Sequence, residues 1–271
     1  MNLLQRLIPA QGARNAIAAL GLIGLTAQPA AAYQVMAPDA VVAGKSIADW
    51  TAAWWAWALQ APVATNPILD SNGAYANVNN NGPVYFVAGN TADRTFNVPA
   101  GKPILLPLIN VTDTESIPPD VPGTPLADRE TAANLFVDAF MGAVNTGSLF
   151  ASIDGSPVAN LSNYQEVTGL FGFGPSQPGS LLDAIGVTAG TDTYPTKSGG
   201  YWLMIDGLSQ GPHTLNFGGS AGDFLVDTPI GSLGLAAFST ETTDSIEVPE
   251  PATGLLLISA IAGMMAIRRR T

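Results

Sequence analysis

From residue 46 the apolar positions recur at helical spacing. Ile47, Trp50, Trp54 and Trp57 follow steps of three and four and predict a helix over 46–59, with three indoles along one stripe and Trp55 off it. Ser46 can cap this helix, and Asp49 three residues on completes a box-like pairing that also suits the N-terminal dipole. Pro62 closes the segment, and a loop rich in Asp, Asn and Gly follows through Gly82. The period then changes to that of strands over 84–88, 94–98 and 104–111, separated by Gly89-Asn90 and Pro99-Ala100-Gly101, which suggests a meander. A second helix starts at Thr124-Pro125, carries Ala132, Leu135, Phe136, Ala139 and Phe140 on its apolar face, and ends at Gly142 or Gly147. Further strands are read at 149–153, before the Asp154-Gly155 turn, and at 164–173, 201–206, 213–217 and 224–227; residues 206–212 form a hairpin link. Many short strands, two helices and no repeated βα unit predict a mainly β fold, an antiparallel β-sandwich with helical decoration.

Both ends of the chain break these patterns. At the C-terminus Val248, Pro249, Glu250 and Pro251 precede an uncharged, largely apolar run from Ala252 to Ile267, and Arg268, Arg269 and Arg270 follow it. Sixteen residues at about 1.5 Å each make a helix of about 24 Å, short of a hydrocarbon core about 30 Å thick. The arginines should stay on the cytoplasmic side, which places the body of the protein outside. An ordinary C-terminal anchor, or a core helix with a basic end, would leave the same apolar run. At the N-terminus Arg6 and Arg14 precede an apolar stretch from Ala16 to Leu25. Ala30, Ala31 and Ala32 then supply a small-residue cleavage site that would make Tyr33 the first mature residue. Three segments are therefore expected: a signal peptide over 1–32, an extracytoplasmic domain over 33–247, and a C-terminal address over 248–271.

The C-terminal order resembles the PEP-CTERM sorting signal. That resemblance implies a protein held in the bacterial inner membrane by its tail until an exosortase-type enzyme cuts near the Pro-Glu-Pro, after which the product reaches the cell surface or an exopolysaccharide matrix. The segments 50–62, 98–110 and 201–218 loosely resemble stretches of uncharacterised secreted bacterial proteins, a resemblance that carries over no activity and no functional residue.

Charge narrows the partners. The chain has 10 basic and 21 acidic residues. Between Tyr33 and Glu250 only Lys45, Arg94, Lys102, Arg129 and Lys197 stand against all 21 acids, a net charge near −16. Such a surface excludes nucleic acid and would attract divalent cations. Cysteine is absent, so stability comes from burial or bound ions rather than disulfides.

Candidate chemistry is sparse. Four of the five tryptophans lie between positions 50 and 57. Periodicity assigns Trp50, Trp54 and Trp57 to packing, which leaves Trp55 and Trp202 as candidate ligand contacts able to stack on a sugar. Asp70-Ser71-Asn72-Gly73 opens like a calcium loop, but Ala74 and Asn81 stand where the fifth and twelfth ligands are required. Asp113, Glu115 and Asp120 form the remaining calcium candidate, weighed against ordinary solvated turn acids. His213, the only histidine, reads as a hydrogen-bonding residue at a strand start; a Ser-His-Asp arrangement stays arithmetically open without a G-x-S-x-G elbow to support it. Glu166, Asp206 and Asp223 are the acids to inspect for a glycosidase pair, which needs two carboxyls about 5 to 9 Å apart across a cleft. No catalytic residue is assigned. The expected function is an exported, exosortase-sorted envelope or matrix protein without catalytic activity, with a carbohydrate-binding or glycoside-cleaving domain as the alternative.

Overall fold

In the computed structural model, which describes residues 33–89, 92–115 and 123–250, Ser46 caps the first helix as its sequence requires. Ser46 Oγ accepts from the Asp49 amide at 3.1 Å, and Asp49 Oδ2 accepts from the Ser46 amide at 3.3 Å. The described elements run β1 Gln34–Val35, β2 Val41–Val42, β3 Lys45–Ser46, α1 Ile47–Gln60, β4 Tyr85–Phe86, β5 Asp93–Asn97, β6 Ile104–Thr114 and α2 Leu126–Ala143. They continue β7 Val144–Ile153, β8 Ser156–Pro157, β9 Gln165–Val167, α3 Leu181–Ala184, β10 Thr196–Asp206, β11 Gly211–Ala221, β12 Phe224–Thr228, β13 Gly231–Leu235 and β14 Phe238–Val248.

Ten of these strands form two sheets. One has the order β1-β10-β6-β4 with β9 beside β10, and the other β5-β14-β11-β7-β8. They enclose a common core: Leu203, Ile205, Leu106 and Ile109 from the first sheet pack with Phe96, Ile153, Leu215, Phe217 and Ile246 from the second. Strand β10 is buried on both faces because its alternate residues serve two cores. Tyr201, Leu203 and Ile205 point between the sheets, while Trp202 and Met204 point to α1 on the outer side.

The tryptophan stripe fixes α1 in place. Trp50 Nε1 donates to the Val42 carbonyl at 2.8 Å, Trp54 Nε1 to Val87 at 2.8 Å and Trp57 Nε1 to Val78 at 2.7 Å. Each buried ring thus keeps its one polar atom satisfied while it excludes water. Helix α2 crosses β10 where a Cβ on Gly199 would lie 2.7 Å from Val137 Cγ1, so glycine permits this close approach. Its Phe136 meets Phe224 of the β12–β13 hairpin at 5.3 Å.

The fold is mainly β, with antiparallel and mixed sheets. The expected meander does not form: β4 pairs in parallel with β6 in one sheet, and β5 pairs in parallel with β14 in the other. A buried ion pair accompanies that exchange. Arg94 Nε donates to Asp244 Oδ1 at 2.8 Å and Nη2 to Oδ2 at 2.5 Å, and Nη2 also donates to the Ala88 carbonyl. Among the described residues there are three α-helices where two were expected; the short α3 is capped by Ser180. The strand expected over 164–173 shortens to β9, and α2 runs directly into β7, so neither Gly142 nor Gly147 ends it. The signal segment, with Ala30 and Ala32, and the sorting run with Pro251 and Arg268, Arg269 and Arg270 lie outside the described residues. Among the described residues no helix is long and apolar enough to cross a membrane.

Candidate functional site

The most chemically varied cluster gathers at one end of the second sheet, around His213 at the start of β11. The β7–β8 turn brings Asp154 beside it: His213 Nδ1 donates to Asp154 Oδ2 at 2.7 Å, and Asp154 Oδ1 accepts from the Thr214 amide at 2.9 Å. On its far side His213 Nε2 lies 2.9 Å from the Ser209 carbonyl and 3.3 Å from Ser209 Oγ. Aspartate, histidine and serine therefore meet in the order of a hydrolytic triad, but the proton inventory differs. A carboxylate faces Nδ1 and a carbonyl oxygen faces Nε2, two acceptors that favour the doubly protonated ring. Burial acts to lower its pKa, but the Asp154 and Ser209 hydrogen bonds, with the Asp154 and Glu247 charges, outweigh that and raise it above the ordinary value. A base must offer Nε2 as an acceptor to the serine, and here that nitrogen faces a carbonyl. The arrangement is a clamp that ties the β7–β8 turn to the β10–β11 loop.

Next to the clamp lies a recess of about 390 Å³, lined in part by Thr95, Pro212, Thr214, Ser245 and Glu247. Register builds its floor. Thr95 of β5 pairs with Ser245 of β14, and Ser245 pairs with Thr214 of β11. These three residues alternate with the buried Phe96, Ile246 and Leu215 and are exposed.

The other candidates are placed elsewhere. Trp202 is 1% exposed and packs 5.3 Å from Trp54, so it offers no ring face to a sugar at the surface. Trp55 is half-buried, 4.9 Å from Trp54. The indole nitrogens of both, with Asn110 Nδ2 and Ser198 Oγ, are buried without a hydrogen-bond partner among the described residues. Asp113 and Glu115 sit at the end of β6 and hydrogen-bond each other. Burial raises Asp113 above the usual carboxylate range, against its hydrogen bonds to Glu115 and to the Thr114 backbone. Asp120 lies outside the described residues, and among the described ones no group of three or more acidic or histidine side chains is arranged to hold a metal.

Asp70 is a turn builder, its carboxylate accepting from the amides of Asn72, Gly73 and Tyr75. Glu166 stands opposite Gly200 on β10, and burial alone pushes its carboxyl up to about 7. Asp206 lies six residues further along the same strand, about 20 Å away at the usual strand rise. Asp223 follows β11 of the other sheet. Glu166 and Asp206 are thus too far apart for a glycosidase pair. Sequence reasoning singled out His213 and gave Asp154 only as a turn residue; it missed the recess because β5 reaches β14 only through a long-range parallel pairing.

No protein-family model, no curated protein and no solved structure matches this chain.

Proposed function

We propose that this chain is an exported, exosortase-sorted protein of the cell envelope or its matrix, with a β-sandwich body that binds or spaces rather than catalyses. The observation that carries this reading is the fit between the folded body and the address segments. β1 begins at Gln34, one residue past the proposed cleavage product's first residue, and β14 ends on Val248, the residue before the Pro-Glu-Pro motif. The sole imidazole supports the non-catalytic part, since both its nitrogens are spent on the clamp. The tail would sit in the inner membrane with Arg268, Arg269 and Arg270 on the cytoplasmic side until a processing enzyme acts. Cell fractionation tests this: the tagged protein should appear in the envelope, and replacing Pro249, Glu250 and Pro251 with alanine should retain it in the inner membrane. Full-length protein found soluble in the cytoplasm refutes the proposal.

A second reading, glycan binding without cleavage, is favoured by the hydroxyl-floored recess beside His213. It no longer rests on Trp202.

A further inference from the structure

We propose that the recess over the Thr95–Ser245–Thr214 row is a binding site for a neutral oligosaccharide, an inference that rests on the glycan-binding reading and gives it a place. Three hydroxyls from three adjacent strands stand in line at a strand spacing of about 4.8 Å, so the row spans about 10 Å. Each can both donate and accept, which matches a ligand whose own groups are hydroxyls. Among the described residues none of the three side chains, nor the Glu247 carboxylate, takes a hydrogen bond within the protein. Their hydrogen-bonding capacity is therefore open to a ligand. Pro212 adds an exposed apolar wall for the C–H face of a sugar ring. The volume of about 390 Å³ falls in the range of small-molecule sites.

Charge removes the other ligand classes. A cation finds the Glu247 carboxylate but no full ligand set: both Asp154 oxygens already accept, from the Thr214 amide and from His213, and among the described residues no group of three or more acidic or histidine side chains is arranged to hold a metal. An anion meets Asp154, Glu247 and the net negative charge of the whole body. A purely apolar ligand would bury three hydroxyls without partners. The clamp contributes by holding Asp154 and the start of β11 fixed, so the floor is formed before the ligand arrives.

The test titrates the full-length protein with maltotetraose, cellotetraose and mannotetraose by calorimetry and saturation-transfer NMR, with tetragalacturonate and calcium chloride as comparators. At least one neutral tetrasaccharide should bind with a Kd of about 0.1–1 mM. The variant Thr95→Val/Ser245→Val/Thr214→Val, built with a strong strand former at exposed sites, should weaken it at least roughly tenfold without shifting the urea midpoint. Ser245→Val alone should weaken binding about threefold and serves if the triple variant does not fold. Failure of every neutral tetrasaccharide to bind at about 10 mM overturns the proposal, as does tighter binding of tetragalacturonate or calcium at the recess. Binding that survives both variants also overturns it, while leaving the glycan-binding reading to another surface. Envelope fractionation is independent of all these outcomes.

Discussion

The Arg94–Asp244 pair is the most exacting test of how this protein holds its two parallel edges. The side chains are 1% and 0% exposed, and the contact is bidentate at 2.5 and 2.8 Å. At an effective dielectric near 20, charges about 4 Å apart attract by about 4 kcal/mol, while each ion loses several kcal/mol of hydration on burial. The pair therefore adds little over two apolar residues, yet breaking it on one side strands a charge. Arg94→Met should cost about 3–5 kcal/mol, because Asp244 is left with the neighbouring charges of Asp70 and Asp93. Asp244→Asn should cost less, about 2–4 kcal/mol, since Arg94 keeps the Ala88 carbonyl as an acceptor. The double change Arg94→Met/Asp244→Leu should recover most of either loss and give a coupling energy of at least about 2 kcal/mol. Urea unfolding at neutral pH, followed by fluorescence of the tryptophans in α1, measures all four corners of the cycle. Two single variants that each cost under about 1 kcal/mol, or losses that add to within about 0.5 kcal/mol, would refute the reasoning.

Two further outcomes follow from burial. Glu166 has a folded pKa of about 7 against an ordinary 4.5, so the folded state holds the extra proton and stability should fall as pH rises from about 4.5 to 7. The full shift would amount to about 3.4 kcal/mol, and its half-buried position reduces this to about 1–2 kcal/mol; Glu166→Gln should abolish that part of the slope in urea midpoints measured across the window, and a slope unchanged in the variant would contradict it. Gly199→Val should cost about 2–4 kcal/mol, since even a Cβ there meets Val137 at 2.7 Å and Met141 Sδ at 3.0 Å; a melting temperature within about 2 °C of wild type would show that α2 can shift aside.

Local rules carried well where the interaction they describe is local. The Ser46–Asp49 box and the Trp50, Trp54 and Trp57 stripe both arise within a few residues of the positions that signal them. The same rules failed on β4 and β5. Their apolar alternation is real, but nothing in 84–98 states that Tyr85 will pair in parallel with Ile104 and Arg94 with Asp244, 150 residues away. Trp202 was misjudged for a related reason. A residue in a strand buried on both faces has no polar side to reveal, so alternation cannot decide whether its ring meets solvent or Trp54.

That limit explains why function is harder to read here than fold. The recess takes Thr95 from β5, Asp154 from a turn, Thr214 from β11 and Ser245 from β14; Asp154 is legible only as a turn residue, and the other three are unremarked surface residues within their own stretches of sequence. Only the parallel β5–β14 register turns Thr95 into the end of a hydroxyl row. Arg94, the residue before it, is what makes that register costly to lose, because a slip of one position would carry a buried guanidinium to the exposed face and Thr95 into the core. The ion pair and the proposed site are thus coupled: a variant that loosens Arg94 should weaken any ligand of the recess even though Arg94 touches none of it.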